Sequence, residues 1–402
     1  MKPMSGCALY GANKVLVGIQ DTVILQHSVI GCNWGTMALH HFQEPHNIRQ
    51  ASTVVYEENV IGGGEQLLTK ALKNIEELYP QARAVFVLSG CVPNMIGEDI
   101  DGVLNKTAST KQLLHLAVPG YAKTFDQGME LALAKLACFF RGGVKNERPC
   151  VNIIGLCGDD PYVDNDLEVL QGLLGENVSI NCSTSRCTTQ DLARMPQATL
   201  SIVFGYGEAL AQQLSDEYGV PYVKMDYPYG IQGMINFLTR LEELLSVDLQ
   251  KSILRLEEDG RQLIRKAAGF LTSLYYMPAA LIGDKAHLSG MERFLEDEVG
   301  LNIVVRALNN ESDLDQVEDS IRHYGPTLIF GSSYEQYFSE KFNTPLIRYS
   351  YPILDELCLT KDSLLGAEGT GRLLERMING ALQLPYKRDG NYASLRKCGG
   401  TK

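Results

Sequence analysis

Three cysteines in the first quarter of the chain share a setting that could hold iron. Each lies in a turn beside small residues: Cys7 precedes Ala-Leu-Tyr-Gly-Ala, and Cys32 and Cys91 each follow a glycine. Their separations of 25 and 59 residues exclude the compact loop of a bacterial-type ferredoxin, whose ligands crowd within about a dozen positions. The fold would have to bring three segments together. The alternative is three unrelated thiols that pack, since free cysteine is among the most buried residue types.

The number of thiols makes a further prediction. Three thiolates leave a cubane cluster one ligand short. The fourth ligand would come from another chain, from a group other than cysteine, or from sharing the cluster across a subunit interface. An iron-sulfur site at these cysteines therefore predicts an oligomer.

The other cysteines and the histidines give weaker signals. A second metal site is conceivable at Cys157, Cys182 and Cys187, but packing is favoured. Adjacent residues on a helix point about 100° apart, so the pair His40-His41 is not expected to chelate one ion. The remaining thiols are interpreted as core or tail residues: Cys138, Cys150, Cys358 and Cys398.

Composition excludes several classes of protein. The chain has 402 residues, 45% hydrophobic and 21% charged, which is typical of a globular protein with two or three domains. The net charge of -12 makes nucleic acid and anionic membranes unfavourable partners, since both require a clustered positive face. The N-terminal segment lacks the apolar core of a signal peptide, so we expect a cytoplasmic protein with reduced thiols. We interpret residues 267–283 as a helix end followed by a buried strand, and not as a membrane span.

The elements around the cysteines can be predicted from their pattern. Residues 84–103 indicate a buried strand, a Ser-Gly-Cys turn and a helix, which displays Cys91 at a strand's carboxyl end, where open α/β sheets place their chemistry. From Ser52 we expect a strand, a glycine-rich turn at 62–64 and an amphipathic helix over 65–78. The Lys and Ser/Thr of a P-loop are missing after these glycines, so close packing or a close-approach surface is favoured over phosphate binding.

The second half of the chain repeats itself. Residues 151–182 and 280–308 share the plan strand, Gly-Asp turn, helix, glycine, strand, and residues 198–229 and 326–353 share a second strand-helix-strand plan. Strands joined through a helix are parallel. The fold class is therefore α/β, with three doubly wound parallel-sheet domains of the Rossmann-like kind. The predicted divisions are a cluster-binding domain 1–145, a second domain 146–245, a helical connection 246–270, a third domain 271–386 and a tail 387–402.

Taken together, these motifs resemble the nitrogenase component 1 family, which includes nitrogenase-like reductases. The segments near the C-terminus, 326–334, 344–348 and 365–369, look like a β-type subunit. The segments that carry the resemblance in the first part of the chain are 7–12, 29–32, 41–45, 57–63 and 89–100.

The resemblance implies a function for the first domain. Cys7, Cys32 and Cys91 would ligate an iron-sulfur cluster, either a P-cluster of eight irons or a [4Fe–4S] cluster, shared with a homologous α-type subunit. The turn at Ile61 and Gly62 would be the docking site of an ATP-hydrolysing iron protein homodimer. The expected assembly is an α2β2 heterotetramer that conducts electrons, and no catalytic residue is assigned to this chain.

Two departures from the family pattern refine this interpretation. In α-type subunits a cysteine and a histidine hold the catalytic cofactor, but the corresponding positions here read Phe204-Gly205-Tyr206 and 348–352, without either ligand. Only six residues precede Cys7, which favours a nitrogenase-like reductase, of which methylthio-alkane reductases are one kind. The α-type partner would then reduce a carbon-sulfur bond or a dinitrogen-like substrate.

Two alternatives stay open at this point. One is a homodimeric reductase that acts on a tetrapyrrole, as in coenzyme F430 synthesis. The other is a scaffold on which a cofactor is assembled, although the presence of all three cysteines disfavours it.

Overall fold

The computed structural model of the chain describes residues 6–40, 49–357 and 361–388. Cys358, Cys398, His41 and the end of the predicted tail lie outside these ranges. The described residues form three four-stranded parallel sheets with flanking helices, which confirms the predicted fold class.

The first sheet and its helices carry all the predicted cluster ligands. Its elements are, in chain order, α1 (Ala8–Leu16), β1 (Thr22–His27), α2 (Ile30–His40), β2 (Gln50–Ser52), α3 (Glu57–Gly62), α4 (Glu65–Leu78), β3 (Ala84–Ser89), α5 (Cys91–Ile96), α6 (Ile100–Lys106), β4 (Gln112–Ala117) and α7 (Phe125–Lys135).

The second sheet follows directly. Its elements are β5 (Cys150–Ile154), α8 (Val163–Leu174), β6 (Ser179–Ser183), α9 (Thr189–Arg194), β7 (Leu200–Val203), α10 (Glu208–Tyr218) and β8 (Tyr222–Lys224).

Two long helices precede the third sheet. The elements are α11 (Ile231–Leu245), α12 (Gln250–Leu271), β9 (Pro278–Gly283), α13 (Leu288–Arg293), β10 (Asn302–Leu308), α14 (Leu314–Tyr324), β11 (Leu328–Gly331), α15 (Gln336–Phe342), β12 (Leu346–Arg348) and α16 (Gly366–Arg388).

The three sheets have the same topology. Their strand orders are β2-β1-β3-β4, β6-β5-β7-β8 and β10-β9-β11-β12, and every pairing is parallel. The predicted repeat of the second half therefore corresponds to the second and third sheets. By compactness, residues 5–164 and 175–225 form one unit, and residues 165–174 with the chain from 226 onward form another. The domain boundaries at 145, 245, 270 and 386 stay predictions.

The core of the first sheet explains why its strands are apolar. All six residues of β3 are buried, as in parallel strands covered on both faces. Helix α4 spans the predicted residues and packs Leu68, Leu72 and Ile75 against this sheet, at the spacing of an amphipathic helix. Burial of each such side chain stabilises the fold by roughly 1.5–3 kcal/mol.

The strand ends of the first sheet are aligned by their pairing. His27, the last residue of β1, is in register with Ser89, the last residue of β3. The segments that follow both strands therefore leave the sheet at the same edge. These are the segments that contain Cys32 and Cys91.

The segment after Ser52 differs from the prediction. The strand ends at Ser52, and a short helix, α3, replaces its expected continuation. Val54 has a φ of 55°, which is outside the β region, and the Asn59 side chain accepts the Tyr56 N–H over 3.0 Å. This local capping overrides the β propensity of the two valines.

The segment 267–283 is organised as predicted. Helix α12 ends at Leu271, and the buried strand β9 begins at Pro278. Among the described residues, no helix combines the length and the apolar character needed to cross a membrane.

Candidate metal centre

All three predicted ligands lie at the beginning of a helix. Cys7 directly precedes α1, Cys32 lies in the first turn of α2, and Cys91 is the first residue of α5. Each thiol is partly exposed. Helix N-termini carry a partial positive charge, which stabilises thiolates, the form that binds metal.

Gly120, in the loop after β4, brings two of the thiols together. Its backbone N–H donates to Sγ of Cys91 over 3.2 Å. A Cβ atom added at Gly120 would lie 2.9 Å from Sγ of Cys7 and 3.6 Å from Sγ of Cys91. Both sulfur atoms therefore lie beside one backbone position, and a side chain there would displace them.

Cys32 is the third member of this group. Burial raises the pKa of the Cys7 thiol, and negative charge on Cys32 and Cys91 raises it further. Burial likewise raises the pKa of Tyr10, with contributions from Cys32 and Cys7. Tyr10 lies against Gly35 of α2, where an added Cβ would overlap its hydroxyl. This packing holds α1 and α2 together, so that their cysteines are neighbours.

Two further glycines place Cys7. An added Cβ at Gly11 of α1 would overlap the Phe125 carbonyl, and one at Gly128 of α7 would overlap the Ala8 carbonyl. The two helices therefore cross at close range. Cys7 directly precedes α1, and Thr124 directly precedes α7. The two residues pair in an isolated antiparallel bridge, which fixes the starts of both helices relative to each other.

Hydrogen bonds from the Asn94 side chain fix the turn that carries Cys91. The Asn94 amide donates to the carbonyl of Ser89 over 2.9 Å, to its hydroxyl over 3.0 Å and to the Gly90 carbonyl over 2.7 Å. The Ser89 hydroxyl also lies 2.7 Å from Nε2 of His115. The turn between β3 and α5 is thus fixed on both sides of the cysteine.

The donor set fits iron-sulfur chemistry. All three side chains are thiols, and iron-sulfur clusters are held by cysteine thiolates. An added Cβ at Gly31, next to Cys32, would meet nothing within 4 Å, so the space beside this cysteine is open on that side.

Large apolar side chains are exposed on the helices that carry the thiols. Trp34 on α2 is 73% exposed, and Met95 on α5 is 69% exposed. Exposed apolar groups of this size mark interaction surfaces. Ile30 and Met37 on α2 and Ile96 on α5 are also exposed, as is Tyr121, which follows Gly120.

The predicted docking residues are also at the surface. The Ile61 side chain is 90% exposed, and an added Cβ at Gly62 would meet nothing within 4 Å. Helix α3, which carries both, contains no buried residue. The exposed side chains of α3 are therefore available to a partner.

Comparison with known proteins identifies the family. A family model described as nitrogenase component 1 type oxidoreductase matches residues 7–382. The chain belongs to this family. A solved member, nitrogenase Cp1 at pH 6.5, superimposes with a TM-score of 0.78 at 19% identity, over 95% of this chain and 93% of that one, which shows the fold.

Relatives within the nitrogenase component 1 family are of several kinds. The α chain of the molybdenum-iron protein of Methanothermobacter marburgensis is 26% identical over 85% of this chain and 81% of its own. The β chain of the vanadium-iron protein of Trichormus variabilis is 22% identical over 97% and 96%. The cofactor biosynthesis protein NifE of Clostridium pasteurianum is 28% identical over 60% and 53%. The family is therefore established, and the subunit type is not.

The positions at which an α-type nitrogenase component 1 subunit would hold its cofactor serve other purposes here. Phe204 is fully buried, and the Tyr206 hydroxyl donates to Asp126 over 3.1 Å. At the end of β12, Arg348 pairs with Asp355 over 2.5 Å, and the Arg348 side chain is 12% exposed. These side chains are committed to packing and to an ion pair.

The remaining cysteines behave as packing residues. Cys157, Cys182 and Cys187 are buried. A hydrogen bond with Cys182, together with burial, holds the pKa of Cys187 well above its usual range. Cys150 is buried and Cys138 half-buried, so the prediction of core positions is confirmed for Cys150.

Sequence reasoning missed the residues that support the thiols. Gly120, Tyr10, Gly35 and Asn94 were not predicted to contribute to the site. The Pro-Gly pair at 119–120 is a turn signal after a strand, which would place Gly120 at the same sheet edge as Cys91. Nothing local indicates the contact with Cys7.

Proposed function

We propose that this chain is the β-type subunit of a nitrogenase-like reductase. It holds an iron-sulfur cluster through Cys7, Cys32 and Cys91, shared with a homologous α-type chain. It relays electrons from an ATP-hydrolysing iron protein to that chain, which reduces the substrate. The observation that carries the proposal is the grouping of three partly exposed thiols at three helix starts. Cys7 and Cys91 lie beside Gly120, and Cys32 lies close enough to influence Cys7 electrostatically.

The bound cluster would supply one-electron transfer at a potential that its surroundings tune. The chain's own residues provide those surroundings. The three helix N-termini stabilise the negative charge of the thiolates, and the Gly120 N–H donates to Cys91. Hydrogen bonds to cluster sulfurs raise the reduction potential, whereas burial in an apolar setting limits the charge that the cluster can carry.

The thiol count supports sharing with a partner. Three cysteines from this chain leave at least one coordination position for another group. The thiols are partly exposed, and Trp34 and Met95 expose large apolar surfaces on the same helices. A homologous chain that covered this face would complete the ligand set and bury the apolar side chains.

Docking of the iron protein is assigned to α3. Ile61 and Gly62 form an exposed apolar tip, and Glu57 and Glu58 in the first turn add negative charge. Such a tip can insert into a partner's groove without disturbing the core of this chain. The proposed α2β2 assembly and the homodimeric iron protein follow from the resemblance described above.

The β-type assignment rests on what the cofactor positions of an α-type chain contain. Phe204 has no donor atom, and the segment from Arg348 to Pro352 contains no histidine. The chain is therefore suited to transfer electrons, and it lacks the ligands that would bind the catalytic cofactor. The substrate class, a carbon-sulfur bond or a dinitrogen-like molecule, would be selected by the α-type partner.

The decisive experiment is anaerobic co-purification of the chain with its partner, followed by iron analysis. About four irons per chain with a homologous partner fit a shared eight-iron cluster, and about two per chain in a homodimer fit the tetrapyrrole reductase alternative. A stable monomer without iron would contradict every cluster-based proposal.

A scaffold for cofactor assembly is the second candidate, favoured by the relative named as cofactor biosynthesis protein NifE. A scaffold and an electron-transferring subunit differ in whether the metal stays on the chain. A scaffold releases its cluster to an acceptor protein, whereas a conducting subunit keeps its iron through repeated turnover. Radiolabelled iron that stays on this chain over many turnovers would exclude the scaffold.

A further inference from the structure

A buried histidine-carboxylate pair lies between β1 and the turn after α5. Nε2 of His27 is 2.5 Å from Oε2 of Glu98, and the two side chains are 0% and 4% exposed. Nδ1 of His27 lies 2.8 Å from the Thr53 hydroxyl. Oε1 of Glu98 accepts the backbone N–H of Gly64 over 2.8 Å. Every polar atom of the pair therefore has a partner, as buried charged groups require.

The pair holds α3 at both of its ends. Thr53 lies ahead of the helix, and Gly64 lies just beyond it. An added Cβ at Gly64 would lie 2.7 Å from Oε1 of Glu98 and 3.1 Å from Cε1 of His27, so the backbone approaches the pair as closely as a residue without a side chain allows. Since α3 buries none of its own residues, these flanking contacts, together with its contact with α5, set its position.

The same pair contacts the segments that carry two of the thiols. The His27 carbonyl accepts the N–H of Gly90 over 3.0 Å, directly ahead of Cys91. Glu98 follows α5, the helix that Cys91 begins. His27 ends β1, and the chain continues from it into the first turn of α2, where Cys32 lies.

We propose that His27 and Glu98 are positioning residues that couple the α3 tip to the thiols of Cys32 and Cys91. The inference rests on the proposed function, because it takes α3 as the docking segment and the thiols as cluster ligands. Separating Gly64 from Glu98 would leave a buried carboxylate short of a donor, which is costly. A partner that displaces α3 therefore moves the pair as a unit, and the segments with Cys32 and Cys91 move with it.

The first test is hydrogen-deuterium exchange of the anaerobic assembly, with its iron present and after chelation. In the wild type, iron slows exchange of the amides in 57–64 by about tenfold, because ordered thiol segments order α3 through the pair. Glu98→Ala reduces that difference to less than about twofold. Glu98→Gln keeps an oxygen that can accept the Gly64 N–H and places an amide group beside His27. It therefore keeps most of the iron-dependent exchange difference that Glu98→Ala loses.

A matched control is available in the same sheet. Asp101 pairs with His115 over 3.1 Å, and its side chain is 74% exposed. Asp101→Asn removes a carboxylate from a histidine without touching α3, and it leaves the exchange difference at the wild-type value. Thr53→Val removes one hydrogen bond of the pair and keeps the carboxylate, so it lowers the difference in the same direction as Glu98→Ala.

The second test is spectroscopic. The coupling predicts that binding of the iron protein changes the electron paramagnetic resonance spectrum of the wild-type cluster, which is first poised in a paramagnetic oxidation state by mediated titration. In Glu98→Ala the change is lost even when the iron protein is present at a saturating concentration, so weaker docking through a less ordered α3 does not explain the loss. A full spectral change in iron-loaded Glu98→Ala would overturn the coupling.

The outcomes separate the two proposals. An iron-loaded wild-type assembly with no exchange difference overturns the coupling alone. An assembly that takes up no iron overturns the proposed function, and the coupling with it. If Glu98→Ala does not hold iron, the exchange experiment is decided by Thr53→Val and Glu98→Gln. An iron-dependent exchange difference in Thr53→Val as large as that of the wild type would refute the coupling.

Discussion

The backbone N–H of Gly120 donates to Sγ of Cys91 over 3.2 Å, and the same glycine would place a Cβ 2.7 Å from Cβ of Cys7. One residue without a side chain thus lies between two proposed cluster ligands from different helices. The arrangement makes the loop after β4 part of the proposed metal site, although the loop supplies none of the proposed ligands.

Gly120→Ala is expected to reduce iron content without unfolding the chain. The added methyl group overlaps the Cys7 side chain, so either Cys7 or the loop after β4 must shift. We expect at least about half of the iron to be lost, since ligand displacement of this kind weakens metal binding by about tenfold or more. Iron per chain and thermal melting of the same sample measure the two effects separately.

Gly172→Ala is the control for this change. An added Cβ at Gly172 of α8 meets nothing within 4 Å, and alanine favours a helix over glycine by about 1 kcal/mol. Iron content should stay at the wild-type value and stability should rise slightly. Full iron content in Gly120→Ala would contradict the proposed position of the cluster.

Cys91→Ala should remove cluster iron and iron-protein-dependent turnover together. The variant deletes a thiolate ligand at the start of α5 and leaves the Gly120 N–H without its acceptor. Cys138→Ala is the matched control, because Cys138 is a free, half-buried thiol that is not among the proposed ligands. Iron analysis and turnover of both variants are compared with wild type. Survival of both iron and turnover in Cys91→Ala would refute the central claim.

Ile61→Asp should abolish docking of the iron protein while the fold is unaffected. The side chain is 90% exposed, so the free energy of unfolding is expected to change by less than about 0.5 kcal/mol. A charge at the centre of a docking surface opposes binding by desolvation, and we expect at least about a 100-fold loss of affinity. Binding is measured by titration of the iron protein against the anaerobic assembly.

Val144→Asp is the corresponding control. Its side chain is 88% exposed and lies outside α3, so the variant introduces the same charge at similar exposure. It should bind the iron protein with wild-type affinity. Equal loss of binding in both variants would mean that general charge, and not the α3 tip, determines docking.

Stability should depend on the protonation of Glu335. Burial raises the pKa of this carboxyl to about 7 from its usual 4.5, although the Ser332 hydroxyl and N–H oppose the shift. The folded state therefore holds a proton that the unfolded state releases, and stability falls as pH rises from about 4.5 to 7. The shift corresponds to about 3 kcal/mol.

Glu335→Gln should remove this pH dependence, because an amide does not titrate. Urea midpoints of wild type and variant are compared across that pH range, and their difference should grow in favour of the variant as pH rises. Asp319→Asn, which changes a side chain 74% exposed, should follow the wild-type profile. Parallel profiles for wild type and Glu335→Gln would contradict the assignment.

Periodicity was sufficient to predict much of the fold. Helix α4 has the predicted bounds because its leucines and isoleucine repeat at helical spacing, and β3 is an uninterrupted apolar run buried on both faces. Helix α3 was missed because its start is marked by local features, namely the reciprocal capping of Tyr56 and Asn59 and the positive φ of Val54. Such local effects outweigh the β propensity of neighbouring valines.

The sequence was sufficient to predict the proposed ligands of the candidate site. It was not sufficient to predict the residues that position them. Cysteines in small-residue turns are visible in the sequence, and a strand-end position follows from the apolar run before Cys91. The contacts of Gly120 with Cys7 and of Glu98 with His27 join residues far apart in the chain. Close approach of this kind is decided by tertiary packing, which no local pattern encodes.

The common strand order of the three sheets has a consequence for how such a chain can diversify. The proposed ligands, their supporting glycines and the proposed docking tip all belong to the first sheet and its helices, so the proposed route of electron entry would occupy one contiguous third of the polypeptide. The strand-end loops of the other two sheets contribute none of these parts. The sequences of those loops can therefore change to suit a different partner or substrate, while the proposed cluster ligands and docking tip of the first sheet stay the same.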